Sequence, residues 1–154
     1  MPNLPEVLLQ GRERTYIEYF INKLSFRVGA FTPETIQRYA NAYSQPGAIR
    51  CALDLYRAFD KDAEDLELWV KDKGRCKIPC LVLSGEYSKN IAYAQKMAIE
   101  VVEPRYLSKA TVSAAGHFIS EENPNVFVEI ILAFAQRQDK HPLITPMHSW
   151  YSKR

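Results

Sequence analysis

A histidine in the second half of the sequence stands where a catalytic base is expected. His117 lies in a loop between a short apolar stretch, Ala110–Ser113, and a helix start at Asn123-Pro124. Imidazole changes its charge near neutral pH and can therefore activate a water molecule or a hydroxyl group. It does so efficiently only beside an acid that orients it and a nucleophile that it serves. The rest of the sequence has to be judged by whether it supplies both groups.

The elements around this histidine indicate an α/β architecture. Cys80–Ser84 is a continuous apolar run closed by Gly85, which is typical of a strand buried in a parallel sheet. A helix over Ile91–Val101, the weaker strand Ala110–Ser113 and a helix after Asn123-Pro124 complete a βαβα unit. Two strands make an incomplete parallel sheet with an open edge. Further strands must come from a second chain or from the rest of a larger protein.

The first half is predicted to be helical and irregular, without a strand. After a polar lead-in of about a dozen residues, Arg14–Phe26 has helical spacing, and Thr32-Pro33 is a helix start. A third helix follows, with Ile49, Leu53 and Tyr56 on one stripe, and a charge-rich segment over 60–74 ends at a glycine. We therefore divide the chain into a helical cap-like region (1–74), the βαβα part (75–138) and a tail (139–154).

Composition argues against several classes of function. The net charge of +2, with basic and acidic residues interleaved, gives no reason to expect nucleic acid as a partner. No apolar run approaches the roughly 18–20 residues that span a bilayer, and the first residues do not resemble a signal peptide. We expect a cytoplasmic protein with reduced cysteines, no membrane partner and no cofactor. No metal site is expected either, because the three histidines and three cysteines lack ligand spacing: His117, His141, His148, Cys51, Cys76 and Cys80.

Three segments in this order resemble the C-terminal half of α/β-hydrolase-fold enzymes. IPCLVLSGE (78–86) is similar to the penultimate strand of that fold, and AAGHFISEENP (114–124) is similar to its histidine loop, where G-H-x-x-x-x-E-x-P is usual. FTPETIQRYANAYSQPGAIRCALDLYRAF (31–59) resembles the helical cap of the epoxide hydrolase and haloacetate dehalogenase branch. The resemblance covers roughly residues 6–138. It implies a partial α/β-hydrolase fold, with a helical cap before the βαβα unit.

The resemblance also implies a reaction and roles for two residues. In that branch an aspartate on a sharp strand-to-helix turn attacks carbon and forms an ester, and a histidine activates the water that cleaves it. His117 matches this base, and Tyr56 matches a cap tyrosine that holds the leaving oxygen or halide. The implied activity is hydrolysis of an epoxide, a carbon–halogen bond or an ester. Judged without the resemblance, Tyr56 lies on an apolar stripe and is equally well explained by packing.

The sequence departs from the family pattern at the nucleophile and at the acid. The nucleophile turn needs glycines four residues apart, and the glycines at 11, 29, 47, 74, 85 and 116 provide no such pair. Ser88 stands where many relatives have the catalytic aspartate. Glu86 is a possible substitute, and relatives that take their acid from an earlier strand would hold it outside this chain. Glu121 and Glu122 precede a helix start, where the helix dipole accounts for them. We expect this chain to lack the nucleophile and to be inactive alone, binding a small-molecule substrate only when completed by an N-terminal half.

Two alternatives stay open at this stage. A truncated hydrolase-like protein can act without catalysis, as a homo-oligomer or as a module that binds a partner chain through the open sheet edge. An unrelated, α-rich binding domain is the third interpretation.

Overall fold

A computed structural model describes residues 4–140, and the elements within this range follow the predicted order. The helices of the first half come before a βαβα unit, and two short 3₁₀ turns, at Val28–Ala30 and Pro104–Tyr106, connect longer elements. The elements are α1 (Leu4–Leu9), α2 (Glu13–Leu24), α3 (Pro33–Tyr43), α4 (Ala48–Lys73), β1 (Cys80–Gly85), α5 (Ile91–Val101), β2 (Leu107–Val112), α6 (Ile119–Glu122) and α7 (Pro124–Lys140).

Local signals explain where the helices of the first half begin and end. The Thr32 hydroxyl accepts a hydrogen bond from the backbone N–H of Thr35 (3.2 Å), and proline occupies the first position of α3. Gly47 and Gly74 flank α4 with φ values of 82° and 79°, a left-handed backbone that favours glycine. These two glycines therefore set the length of α4.

The charge-rich segment 60–74 is more regular than its composition suggested. It continues the third helix without a break, so that α4 has 26 residues, about 39 Å at 1.5 Å per residue. Its charges form pairs along the helix, including Lys61 with Asp65 (2.5 Å) and Arg57 with Asp54 (2.6 Å). No element was predicted for this segment from the sequence, and its charged side chains lie along one long helix that ends at Gly74 as expected.

Other boundaries also differ from the sequence prediction. The polar lead-in contains a six-residue helix, α1, and the second strand begins at Leu107 instead of Ala110. A short helix, α6, precedes the predicted one, and α7 runs to Lys140, two residues into the segment interpreted as a tail. The remaining residues of that segment, 141–154, lie outside the described residues.

The two strands form one parallel sheet, and this part of the prediction is confirmed. Cys80 pairs with Leu107 at one end and Gly85 with Val112 at the other, and α5 provides the crossover between the strands. In the described part of the chain, β1 pairs with β2 alone, and the apolar run Leu81–Leu83 is only partly buried. The sheet is therefore incomplete.

The core of the described residues is small. Its buried hydrophobic residues are Ile21, Phe31, Ala40, Ala98, Val102, Val112 and Ala115. Many large apolar side chains are exposed, among them Ile78 before β1 and Met97 on α5. These faces are the ones that a complete sheet and its helices would cover.

The end of β1 packs directly on the loop that carries His117. A Cβ atom added at Gly85 would collide with the carbonyl oxygens of Gly116 and Ala115. At Gly116 it would lie 2.6 Å from the Phe26 nitrogen. Glycine at 85 and 116 thus permits the backbones of β1, the histidine loop and the segment after α2 to approach closely.

We predict that Gly85→Ala lowers the free energy of unfolding by about 1–3 kcal/mol or more, because the added methyl group has to displace backbone. The measurement is the urea midpoint at fixed protein concentration. Gly29→Ala is the matched control, since nothing lies within 4 Å of its added Cβ and its φ is not positive. Equal midpoints for the two variants would contradict the close packing of β1 on this loop.

Candidate functional site

The loop of His117 is held by one buried carboxylate. Glu122, 1 % exposed, accepts hydrogen bonds from four backbone N–H groups. Its Oε2 accepts from Phe26 (2.7 Å), Arg27 (2.8 Å) and Gly116 (2.9 Å), and its Oε1 accepts from Phe118 (3.0 Å). We call this carboxylate and its four donors the Glu122 cage. A buried charge is tolerated when it is hydrogen-bonded in this way.

The Glu122 cage ties the histidine loop to the segment after α2. Two of its donors lie on either side of His117, and the other two lie more than 90 residues earlier in the chain. The backbone N–H of His117 itself donates to the carbonyl oxygen of Leu24 (3.1 Å). The guanidinium group of Arg27 also donates to the backbone carbonyl oxygen of Glu122 (2.8 Å). The backbone position of His117 is therefore fixed from both sides.

Glu122 has a role that the sequence interpretation missed. The helix dipole was expected to account for it, but Glu122 is the last residue of α6 and its carboxylate points back to the loop. The available signal was its place as the glutamate of the G-H-x-x-x-x-E-x-P pattern. That pattern identifies the residue but not its four donors.

The side chains of His117 and Tyr56 line the same cavity, of about 480 Å³. His117 is exposed, and its imidazole contacts the ring of Phe118 edge-on, with ring centroids 5.0 Å apart. Tyr56 lies on α4, where its ring is 5.2 Å from that of Phe59, and it is 61 % exposed.

The wall of this cavity, which we call the tyrosine cavity, comes mainly from α2, α3, α4 and the histidine loop. Most lining side chains are apolar or aromatic, which suits a small organic ligand in a cavity of this volume. The lining residues are Tyr16, Ile17, Phe20, Ile21, Leu24, Phe31, Tyr39, Tyr43, Ala52, Leu55, Tyr56, Phe59, His117, Phe118 and Glu121.

Burial raises the pKa of Tyr16 in this cavity, and the neighbouring Tyr56 and Tyr43 raise it further. Its phenol therefore stays protonated, and can donate a hydrogen bond, over an even wider pH range than that of a solvated tyrosine. Tyr43 and Tyr39, which lie on the same helix, α3, both line the cavity.

Tyr39 and Glu121 form a hydrogen bond across the cavity wall. The phenol donates to Oε1 of Glu121 at 2.7 Å, joining residues 82 positions apart. This bond raises the pKa of Tyr39. Burial raises the pKa of Glu121, but hydrogen bonds from Ser120 and Tyr39 outweigh it, and the net pKa is lowered. The sequence offered no signal for this long-range pair.

Glu86 lies beside the histidine loop but outside the lining of the tyrosine cavity. Its Oε2 accepts a hydrogen bond from the backbone N–H of Ala114 (2.9 Å), a non-glycine residue with φ of 51°. Glu86 therefore supports the turn three residues before His117. Its role as the catalytic acid stays a prediction. Ser88, in the aspartate's place, accepts from the backbone N–H of Asn90 (3.4 Å).

The described residues hold neither a metal-ligand cluster nor a helix suited to a bilayer. Within residues 4–140, no three histidine, cysteine, aspartate or glutamate side chains come together in a way that could hold a metal ion. Over the same range, no helix combines the length and apolar character needed to cross a membrane. His141 and His148 lie outside this range.

Comparisons of the sequence with known proteins identify hydrolases. The chain is 28 % identical over 142 residues to the AB hydrolase superfamily protein YfhM of Bacillus subtilis (strain 168), a match that covers 90 % of this chain and 46 % of that protein. It is 26 % identical over 136 residues to the soluble epoxide hydrolase of Corynebacterium sp. (strain C12), covering 86 % and 45 %. The chain thus spans about half the length of these curated relatives. No protein-family model matches the sequence.

Solved structures confirm the fold. Cfl2 from Burkholderia cenocepacia superposes with a TM-score of 0.75 at 25 % identity, over 87 % of this chain and 44 % of that one. The epoxide hydrolase CorEH superposes with a TM-score of 0.71 at 24 % identity, over 85 % and 45 %. The described residues therefore have a partial α/β-hydrolase fold. The predicted resemblance to the epoxide hydrolase branch is confirmed, and the coverage is consistent with the C-terminal part of such a protein.

We predict that Glu122→Gln lowers the free energy of unfolding by about 3 kcal/mol or more. The amide oxygen can keep the three donors of Oε2, but a neutral acceptor binds them less strongly than a carboxylate does. Its NH₂ group would face the N–H of Phe118, and an unsatisfied buried donor costs about 1–3 kcal/mol. Urea unfolding followed by circular dichroism measures the change. The neighbouring Glu121→Gln is the control, with an expected loss of about 1 kcal/mol because its side chain is only partly buried. Similar losses in the two variants would refute the special role of the Glu122 cage.

A second prediction concerns pH. Because the pKa of Glu121 is lower in the folded protein than its ordinary value of 4.5, the ionised carboxylate stabilises the fold above that value. This contribution is lost as the pH falls through the folded pKa. The stability difference between the wild type and Glu121→Gln should therefore be constant near pH 7 and shrink below pH 4.5. A stability difference between the two proteins that grows as the pH falls below 4.5 would contradict the lowered pKa of Glu121.

Proposed function

We propose that this chain supplies the cap and the histidine base of an epoxide-hydrolase-like active site. The observation that carries the proposal is that His117 and Tyr56 line one cavity, although 60 residues separate them in the chain. The likeness to proteins named as AB hydrolase and epoxide hydrolase supports the same reaction class. Glu86 remains the acid proposed from within this chain.

In the proposed reaction, a carboxylate nucleophile attacks a carbon atom of the epoxide and forms an ester. The phenol of Tyr56 gives its proton to the epoxide oxygen as the carbon–oxygen bond breaks, and the proton that His117 later takes from water restores the phenol. His117 then removes a proton from water, and the resulting hydroxide cleaves the ester to release the diol. The position of His117 on a loop fixed by the Glu122 cage suits this work, because a base has to be held within reach of its water.

The nucleophile of this mechanism has to come from outside the 154 residues of this chain. The glycine spacing of the nucleophile turn is absent from them, and the relatives are about twice as long. The segment that supplies the nucleophile would also contribute strands that pair with β1 and elements that cover the apolar faces of the sheet. The 154-residue chain is therefore proposed to be inactive alone, and a cytoplasmic location is part of the proposal.

A second candidate function is favoured by a different observation. The edge of β1 that faces away from β2 has no partner strand in the described part of the chain, and apolar side chains on α5 and before β1 are exposed. Such an edge is a template for another chain. A non-catalytic protein that forms a homo-oligomer or binds a partner chain there is the alternative to the hydrolase part.

We predict that the 154-residue chain self-associates at micromolar concentration and does not turn over styrene oxide, 4-nitrophenyl esters or haloacetates. Sedimentation velocity measures the first property, and product analysis measures the second. A compact monomer would count against use of the sheet edge. Turnover that survives His117→Ala would sink the role of His117.

A chimaera tests the proposed reaction directly. This chain would replace the matching segment of the Corynebacterium soluble epoxide hydrolase, so that the remainder supplies the other half of the fold. We expect the chimaera to hydrolyse styrene oxide. His117→Ala should reduce kcat by on the order of 10³-fold, and Tyr56→Phe by about 100-fold.

Phe59→Leu is the control for Tyr56→Phe, because it alters the same cavity wall without removing a hydroxyl group. A folded chimaera without turnover, as judged by circular dichroism and a cooperative melting curve, would reject the proposed activity. It would leave the partner-binding alternative.

A further inference from the structure

The tyrosine cavity carries one ionisable carboxylate in its wall, and that carboxylate is Glu121. The other lining side chains are aliphatic or aromatic, apart from the imidazole of His117, and the lining contains no lysine or arginine among the described residues. The hydroxyl groups of the four lining tyrosines are polar but neutral. Among the described residues, the cavity is therefore lined by apolar and aromatic side chains, the imidazole of the proposed base and one negative group.

Hydrogen bonds hold the Glu121 carboxylate in this wall. Its Oε1 accepts from the phenol of Tyr39, and its Oε2 accepts from the hydroxyl of Ser120. Both donors are neutral, so neither cancels the negative charge. The same bonds lower the pKa of Glu121 against the effect of burial, which keeps the carboxylate ionised at neutral pH.

A basic group that acts on Glu121 is Arg38, which packs against Tyr39 outside the cavity lining. Its guanidinium carbon is 5.6 Å from the centre of the Tyr39 ring. Its positive charge attracts the carboxylate, and its side chain also acts on the Tyr39 phenol through a hydrogen bond that lowers the pKa of Tyr39, but Arg38 does not itself line the cavity. A ligand inside the cavity consequently meets a carboxylate and not an ion pair with an accessible cation.

We infer that Glu121 is a specificity-determining residue, which admits neutral ligands to the tyrosine cavity and excludes carboxylates. Two negative charges a few ångströms apart in a partly buried, apolar space repel each other strongly, because little water screens them. A bound carboxylate would also lose its hydration without gaining a cationic partner. This inference rests on the proposed function in taking the cavity as the substrate site.

The inference narrows the substrate class of the proposed reaction. Haloacetates carry a carboxylate and are disfavoured, whereas epoxides, diols and uncharged esters are admitted. Tyr39 has a positioning role in this arrangement, since it orients the Glu121 carboxylate. It need not contact the ligand.

The test is a comparison of two ligands of the same shape and different charge. Phenylacetamide and phenylacetate would be titrated at pH 7 into the chimaera described above, in which the other half of the fold completes the cavity, with ring proton signals of the tyrosines followed by NMR. We expect the wild type to bind phenylacetamide at least about tenfold more tightly than phenylacetate. In Glu121→Gln, the Kd for phenylacetate should fall about tenfold while that for phenylacetamide stays within about twofold.

Two variants separate charge in the cavity from other effects. Glu129→Gln changes the net charge of the protein equally, but on the exposed face of α7, and should leave the tenfold ratio unchanged. Tyr39→Phe removes the hydrogen bond but keeps the Glu121 charge, and should retain most of the discrimination. A ratio that moves equally in Glu121→Gln and Glu129→Gln would overturn the inference.

The remaining outcomes are also decisive. Equal binding of the two ligands by the wild type, or no binding of either at millimolar concentration, would overturn the inference. An inactive chimaera together with intact charge discrimination would reject the proposed reaction and leave the specificity of the cavity. A chimaera that hydrolyses styrene oxide but binds the two ligands equally would support the proposed reaction and reject the role of Glu121 in specificity.

Discussion

Four backbone N–H groups converge on the buried carboxylate of Glu122, and the position of the histidine loop depends on this arrangement. Two donors belong to the loop and two to the segment that follows α2, so one side chain joins the βαβα unit to the helical half. The carboxylate can be buried because its charge is spread over short hydrogen bonds, while the same donors would be costly if left without an acceptor. The tyrosine cavity forms along this junction, with α2 on one side and the histidine loop on the other.

The close backbone packing beside this junction requires glycine at two positions. Gly85 at the end of β1 and Gly116 before the histidine occupy places where a Cβ atom would meet neighbouring backbone. Strand, loop and helix end can therefore approach more closely than side chains would allow. This proximity brings the N–H of Gly116 to Glu122, and the N–H of His117 to the carbonyl oxygen of Leu24.

The sequence predicted the order of the elements well, because local signals specify them. The apolar run at Cys80, the proline after Thr32 and the Asn123-Pro124 pair mark element starts that the structure confirms. The charged half of α4 was not recognised as a continuation of the preceding helix, since a solvated helix has no continuous apolar stripe. The early helix α1 was missed because its six residues are too few to show a period.

The sequence predicted those residues of the candidate site that belong to local motifs. It did not predict the hydrogen bonds between residues far apart in the chain. His117 and Tyr56 were identified through motifs, and the structure places both on one cavity. The earlier donors of the Glu122 cage and the bond between Tyr39 and Glu121 join residues 82 to 96 positions apart. No local pattern encodes such pairs, because their geometry exists only after the chain has folded.

The donors of the Glu122 cage are all main-chain amides, and this has a consequence for how the region tolerates change. The carboxylate recognises no side chain of Phe26, Arg27 or Phe118, so most replacements there leave its hydrogen bonds in place. Proline is the exception, since it has no N–H to donate. The hydrogen bonds to the carboxylate are thus insensitive to the side chains of Phe26 and Phe118 but are lost where proline replaces a donor, and the Arg27 side chain is needed only for its separate bond to the Glu122 carbonyl oxygen.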